Sequence, residues 1–361
     1  MNFEDTDFRQ EVLDIESPYD VKLVYDFLLE LGFEFEPNGV DCTMILYNLN
    51  DEIVGTGSYK NKTLKYVAVS PKFRDSTAFA LIVTHLSNVV LKNNSTCFVF
   101  TKPNTAKLFE SIGFSIIATA EPLFSVLEFG LKSIKNYQDY LKSIKTESKT
   151  DNISTIVVNC NPFTNGHKYL IEKAASESEL VYLFVVEENL SAFPFEIRWK
   201  LIEKGISHLK NVVMIRAGEY IVSGSIFPNY FLKNESFDLV SQKQAEIDVT
   251  IFAEYFVPIL GIKKRYIGTE NYCKTTCAYN NAMFKILPKA GVEVIEITRK
   301  ALGMDENNEP DYISASKVRE AINNDKLSEI IGFIPETTKD YLLSEDANSI
   351  IEKIKNGRGR H

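Results

Sequence analysis

Residues 156–168 read Ile-Val-Val-Asn-Cys-Asn-Pro-Phe-Thr-Asn-Gly-His-Lys. An apolar run stops at a polar, Pro-containing turn, and an amphipathic stretch, Tyr169-Leu170-Ile171-Glu172-Lys173-Ala174-Ala175, follows it. A strand, a tight turn and a helix start, in that order, make a seat for phosphate. The first backbone N–H groups of a helix have no internal acceptor and point out of the turn. Thr164 and His167, separated by Asn165 and Gly166, are spaced to reach such a phosphate, and Asn161, Pro162, Phe163 and Lys168 complete the seat. The chemistry that suits this set is transfer at a bound phosphate. Negative charge grows there in the transition state, and amides, a hydroxyl and an imidazole stabilise it more than they stabilise the ground state. Removing one such donor typically costs about 10²–10³ in rate. His167 takes that role in this reading, with Thr164 as an additional donor. The plainer alternative is a helix N-terminal His that makes only a cap hydrogen bond.

Three further clusters bear on the same chemistry. Ile313-Ser314-Ala315-Ser316-Lys317-Val318-Arg319 offers Ser314 or Ser316 as an N-cap, which leaves N–H groups for an anion. Lys317 and Arg319 fall in the first turn, where the helix dipole disfavours cations unless an anion is bound, so a polyphosphate is expected there. In Tyr266-Ile267-Gly268-Thr269-Glu270-Asn271-Tyr272, Gly268 allows close backbone approach, and Glu270 or Asn271 could read an adenine amino group or a ribose hydroxyl. An ordinary strand-to-helix turn is the alternative. In Ala192-Phe193-Pro194-Phe195-Glu196-Ile197-Arg198, a helix entry, Arg198 is placed to reach a phosphate or to pair with Glu196.

The elements that must carry these residues alternate. After a polar Lys/Ser/Thr-rich segment at 142–152, taken as the domain boundary, strands are expected at 154–158, 180–186, 212–216, 263–268 and 292–298. Helices are expected at 166–176, 195–209, 244–260 and 275–287, then from Ala315, Leu327 and Thr337. Near-continuous apolar strands between helices indicate a parallel sheet covered on both faces, with ligands at the carboxyl ends of its strands. The 161–167 turn lies on that edge. The first part of the chain differs. Helices at 19–31, 78–91 and 104–112 accompany strands at 43–47, 53–60, 63–69, 96–101 and 114–119, an α+β pattern with an antiparallel start. The expected division is 1–145, 152–345 and a polar tail at 346–361.

At 361 residues the chain is long enough for two domains. Its formal net charge of −9 argues against a general nucleic-acid binder, which needs clustered Lys and Arg. The five cysteines, Cys42, Cys97, Cys160, Cys273 and Cys277, are odd in number and scattered, so no disulfide framework is expected. Cys273 and Cys277 are not accompanied by further ligands at zinc spacing, and no metal site is expected. The acidic N-terminus lacks a signal-peptide pattern, and no apolar run reaches about 18 residues. No membrane partner is expected, and a cytoplasmic location is.

These motifs carry a resemblance. The Thr164–His167 turn (T-x-G-H) together with residues 313–319 resembles the nucleotidyltransferase α/β superfamily, whose second signature is I-S-S-T-x-x-R. Ala315 and Ser316 stand where that signature has Ser and Thr. Phe193-Pro194-Phe195-Glu196, Glu219-Tyr220-Ile221-Val222-Ser223, Phe227-Pro228-Asn229-Tyr230-Phe231, Glu246-Ile247-Asp248 and Tyr266-Ile267-Gly268-Thr269-Glu270 narrow it. Together they are similar to the citrate lyase ligase family over residues 152–345. That family also carries an acetyltransferase-like (GNAT) domain, which residues 64–74 and 104–114 resemble. A GNAT pyrophosphate loop needs glycines for its amides to wrap phosphate. Here Asp75-Ser76-Thr77-Ala78-Phe79 has none, so independent acetyl-CoA-dependent activity is not expected.

The resemblance implies an α/β protein with an N-terminal GNAT-like α+β domain followed by a Rossmann-like parallel nucleotidyltransferase domain. It implies an AMP-forming acid–thiol ligase that joins acetate to the prosthetic-group thiol of the citrate lyase acyl carrier subunit, using ATP with Mg²⁺. The arm is of the phosphoribosyl-dephospho-coenzyme A type. Acetyl-adenylate would be the intermediate, with His167, Thr164 and the turn amides at the α-phosphate and Lys168, Lys317 and Arg319 at the leaving diphosphate. Two rivals stand beside it: an adenylyltransferase that makes a dinucleotide-type product from a pantetheine phosphate or a nucleotide, and a non-catalytic ATP sensor.

Overall fold

The computed structural model describes residues 8–187, 191–221, 236–269, 274–298, 301–304, 310–312 and 314–357. The chain forms two compact units, Met1–Asp139 with Gly224–Ile247, and Tyr140–Ser223 with Asp248–His361. Residues 236–247, expected in the second domain, group with the first unit.

The first unit is built on a seven-stranded sheet. Its strands are β1 (Arg9–Leu13), β2 (Cys42–Tyr47), β3 (Ile53–Lys60), β4 (Thr63–Val69), β5 (Thr96–Thr101), β6 (Ser115–Ala120) and β7 (Phe124–Gly130), in the order β1-β2-β3-β4-β5-β7-β6. All neighbours are antiparallel except β4 and β5, whose parallel pairing holds at Thr63↔Phe98 and Leu64↔Val99 before the strands part. Helices α1 (Pro18–Glu30), α2 (Ala78–Leu91) and α3 (Pro103–Glu110) accompany it. Alternation along β2 sends Met44 and Leu46 into the cluster under α2, and Ile45 and Tyr47 into the cluster under α1. Gly57 lets α2 lie close on β3, since a Cβ there would meet Ile82 at 2.6 Å and Leu86 at 2.7 Å. This is the GNAT-like α+β arrangement. β1 and β7 are additions to the elements expected from the sequence.

The second unit holds a parallel sheet of β8 (Ile153–Val158), β9 (Leu180–Val185), β10 (Val212–Arg216), β11 (Lys264–Gly268) and β12 (Glu293–Ile297), in the order β10-β9-β8-β11-β12. The chain runs outward from β8 in one direction and then returns to its other side, so a topological switch point lies between β8 and β11. Before it, α4 (Ile134–Ile144) bridges the unit boundary. One face of the sheet packs Ile156, Val158, Val181, Leu183 and Val185 against α5 (Asn165–Glu177) and α6 (Phe195–Gly205). The other sets Phe184 against Phe252 and Phe256.

The helix expected at 244–260 is longer and interrupted: α7 (Phe237–Ile251), a π turn (Phe252–Phe256) and α8 (Val257–Leu260). Pro258 has no N–H to return to the carbonyl of Glu254, and its ring crowds that carbonyl, so the helix widens there. After α9 (Lys274–Ile286), β13 (Ala301–Met304) pairs with β14 (Pro310–Tyr312), a hairpin the sequence reading lacked. Then α10 (Ala315–Asn323), α11 (Leu327–Ile330), α12 (Glu336–Leu342) and α13 (Asn348–Lys355) gather around Ala192 and Phe193. Residues 346–361, expected as a polar tail, therefore include a helix. Ile350 and Ile354, four apart, bury one face of it, and this corrects the expectation. Among the described residues no helix is long and apolar enough to cross a membrane.

Candidate active site

The turn after β8 occupies the carboxyl edge of the sheet at the switch point. Cys160 enters it with φ of 53°, a left-handed conformation that a β-carbon disfavours. The residue is 1% exposed, and burial pushes its thiol well above the usual range, so it packs and does not react. Asn161 follows, also buried, and its Oδ1 accepts the N–H of Phe193 at 3.0 Å. The Asn161–Pro162 peptide is cis. Phe163 is fully buried. Thr164 is the N-cap of α5, with extended φ and ψ of −120° and 166°. Asn165 and Gly166 are then the first helical residues, whose N–H groups have no carbonyl one turn back within the helix.

Thr164 and His167 form a reciprocal capping box. The Thr164 hydroxyl accepts the His167 N–H at 3.4 Å and lies 2.9 Å from the imidazole Nδ1. The Thr164 N–H lies 3.2 Å from the same Nδ1. A backbone amide can only donate, so Nδ1 is the acceptor and the neutral ring carries its proton on Nε2. Thr164 was expected as a second phosphate donor. Its 1%-exposed hydroxyl is instead used inside the turn, where it orients His167.

Arg319 joins the two signature motifs. Its Nη1 donates to the Asn161 carbonyl at 2.5 Å, and its Nη2 lies 3.4 Å from the Ser316 hydroxyl. Burial lowers its pKa from the ordinary arginine value, and desolvation is the cause. Ser314 caps α10 by accepting the Lys317 N–H at 3.2 Å, as its type and position suggest. The start of α10 therefore stands beside the start of α5. Asn165 ties the start of α5 to the turn after α11, its amide donating to the Gly332 carbonyl at 3.3 Å.

Arg198 is the clearest departure from expectation. It is fully buried on α6, and its donors go to backbone carbonyls: Nε to Phe193 at 3.0 Å, Nη1 to Asn159 and to Val186, both at 2.7 Å. Those carbonyls belong to the strand ends and loop that frame the turn, so Arg198 shapes the edge from beneath. Glu196 pairs with Arg216 at 3.0 Å, which also lies over the rings of Phe195 and Trp199. Lys168 sits 3.8 Å from Glu172 along α5. Gly268 ends β11 beside β8, its carbonyl accepting from Asn280 at 3.2 Å. Glu270 and Asn271 lie outside the described residues.

Sequence reasoning missed several supports. Asn159 and Ser191 exchange side-chain hydrogen bonds at 3.1 and 3.3 Å, and Lys353 on α13 donates to the Ser191 carbonyl at 2.9 Å. Thr338 donates to the Phe163 carbonyl at 2.9 Å. Gly205 lies against the Phe163 ring, where a Cβ would come within 2.5 Å of Cε1. Nothing local in the sequence marks Thr338 or Gly205. The Phe-Pro-Phe helix entry before Arg198 was the one visible signal for that region. Among the described residues no group of three or more His, Cys, Asp or Glu is placed to hold a metal ion.

A T-x-G-H turn and a Ser-capped basic helix, tied together at the switch point of a parallel sheet, define a domain with the nucleotidyltransferase fold. Residues 153–342 match the family described as Citrate lyase ligase C-terminal domain. The chain is 33% identical over 312 residues to the citrate (pro-3S)-lyase ligase of Escherichia coli (strain K12), covering 84% of this chain and 86% of that one. It is 32% identical over 328 residues to the ligase of the same name from Haemophilus influenzae, covering 89% and 95%. The chain belongs to the citrate lyase ligase family. Among solved structures, a nicotinate-nucleotide adenylyltransferase from Vibrio parahaemolyticus, described there as unverified, aligns over 56% of this chain and 95% of its own, at 18% identity and a TM-score of 0.31.

Proposed function

We propose that this protein is an ATP-dependent ligase acting on citrate lyase, and that it acetylates the prosthetic-group thiol of the acyl carrier subunit with release of AMP and diphosphate. The observation that carries this reading is the Arg319–Asn161 hydrogen bond, which sets the second signature helix beside the T-x-G-H turn in a chain of this family. In the proposed reaction an acetate oxygen attacks the α-phosphorus and the bond to the β-phosphate oxygen breaks. His167 donates from Nε2 to a non-bridging α-phosphate oxygen, with the first amides of α5 beside it. Lys168, Lys317 and the remaining donors of Arg319 face the departing diphosphate. The carrier thiol, giving up its proton, then attacks the acetyl carbon and AMP leaves. Mg²⁺ enters with the phosphates of ATP as part of the substrate.

The GNAT-like unit has a separate role in this reading. β4 and β5 pair at Thr63↔Phe98 and Leu64↔Val99 and then part, and the notch beyond is the proposed seat for an extended chain such as the pantetheine portion of the arm. Calorimetry of the full chain with a dephospho-coenzyme A analogue tests it: micromolar binding is expected, and none would leave that unit a docking or structural role. The reaction itself is tested by product analysis with acetate, ATP and carrier protein. AMP and acetylated carrier are expected. A dinucleotide would favour the adenylyltransferase, and no product the sensor.

A further inference from the structure

His167 is oriented through Nδ1, which accepts from the N–H of Thr164 at 3.2 Å and lies 2.9 Å from the Thr164 hydroxyl. That N–H is one end of a peptide unit whose other end is the Phe163 carbonyl. The unit is planar, so fixing the direction of the carbonyl fixes the direction of the N–H. The Phe163 carbonyl is itself held. Thr338, fully buried on α12 and distant in sequence, donates its hydroxyl to it at 2.9 Å. A continuous line therefore runs from the Thr338 hydroxyl through the 163–164 peptide to the imidazole. Each hydrogen bond along it polarises the next in the same sense.

The side chain of Phe163 closes off the alternative motion. Its ring is fully buried, lies at 16° to the His167 ring with centroids 6.4 Å apart, and rests on Gly205. The peptide can thus rotate only against the Thr338 bond on one side and against packed rings on the other. We propose that Thr338 is a positioning residue for His167: by holding the Phe163–Thr164 peptide it keeps Nδ1 as an acceptor and the Nε2 proton directed outward. The proposal rests on the reading that His167 serves the α-phosphate.

The test uses the full chain. Thr338→Val keeps the shape and removes the donor, Thr338→Ser keeps the donor, and Thr338→Cys fills the space with a weaker one. Each is measured for kcat and for KM of ATP in carrier acetylation. Each is also studied by ¹⁵N NMR of labelled histidine, with His167→Gln assigning the signal among the four histidines. T338V is expected to lower kcat about 10-fold with KM for ATP changed less than about threefold, and to reduce the Nε2–H tautomer of His167. T338S should restore both, and T338C should fall between. Wild-type kcat and wild-type ¹⁵N shifts in T338V would overturn the proposal. So would an ordering of the variants that follows melting temperature and not donor strength. The NMR arm needs no turnover: an unchanged rate in His167→Ala would sink the catalytic reading, whereas the tautomer shift in T338V stands or falls separately.

Discussion

Two buried arginines of the second unit meet different surroundings. Arg198, fully buried under the carboxyl edge of the sheet, gives its hydrogen bonds to the carbonyls of Phe193, Asn159 and Val186. Arg265, 9% exposed on β11, lies 4.9 Å over the Phe252 ring, and its Nε and Nη1 find no hydrogen-bond partner among the described residues. Desolvation is costly for both ions. At Arg198 the same contacts that offset it also fix three backbone segments around the turn after β8. At Arg265 the ring face is the compensation the structure offers, and burial pushes the guanidinium down to about 9. A buried charge thus organises the site edge in one place and is a standing cost in the other.

The contrast is most easily broken at Arg198. Arg198→Met should destabilise by about 3 kcal/mol or more, because buried carbonyls lose their donors. Urea unfolding reads this directly, and a near-neutral result would remove Arg198 from its organising role. Gly205→Ala tests whether the same edge is as exacting in packing. Helix propensity favours Ala, but the new methyl would overlap the Phe163 ring, so a loss of about 1–3 kcal/mol is expected. A stability gain would show that the ring moves freely.

At Arg265 the sign should reverse. Arg265→Met should be neutral or stabilising by about 1–4 kcal/mol, since an incompletely bonded ion is exchanged for an apolar side chain of similar length. A large loss in calorimetry would mean that the ring contact outweighs the desolvation. The pH dependence sharpens this further. The folded value of about 9 lies below the ordinary 12.5, so between them the unfolded chain binds more protons and wild-type stability rises with pH. Below about 9 both states are protonated and the cost is present in full. The advantage of R265M should therefore be greatest at pH 7 and smaller at pH 10. An advantage that does not change would contradict this assignment.

The sheet-edge motif was legible because its information is local. An apolar run, a Pro turn and the amphipathic stretch after it announce the strand, turn and helix around His167, and Ser314 is one of the two caps that its segment offers. The Thr164–His167 capping box is not announced, because Thr164 reads equally well as a phosphate donor. The parallel sheet was legible from Leu180–Val185, a continuous apolar strand. The supports were not, because they are tertiary. Arg198 looked like a phosphate ligand because sequence does not show three carbonyls converging on one side chain. Thr338 acts across the fold on Phe163. Ile350 and Ile354 were hidden in a charged stretch whose core partners come from elsewhere in the second unit. Residues 236–247 group with the first unit, which no periodicity reveals.

The central proposal is that the turn at Thr164–His167 serves transfer of the adenylyl group of ATP to acetate. Acetate-dependent exchange of labelled diphosphate into ATP measures this step without the carrier. The account predicts exchange in the wild-type protein that requires acetate and falls about 10²–10³-fold in His167→Ala with its melting temperature preserved. Carrier acetylation that proceeds with no exchange, or exchange indifferent to His167, would contradict it.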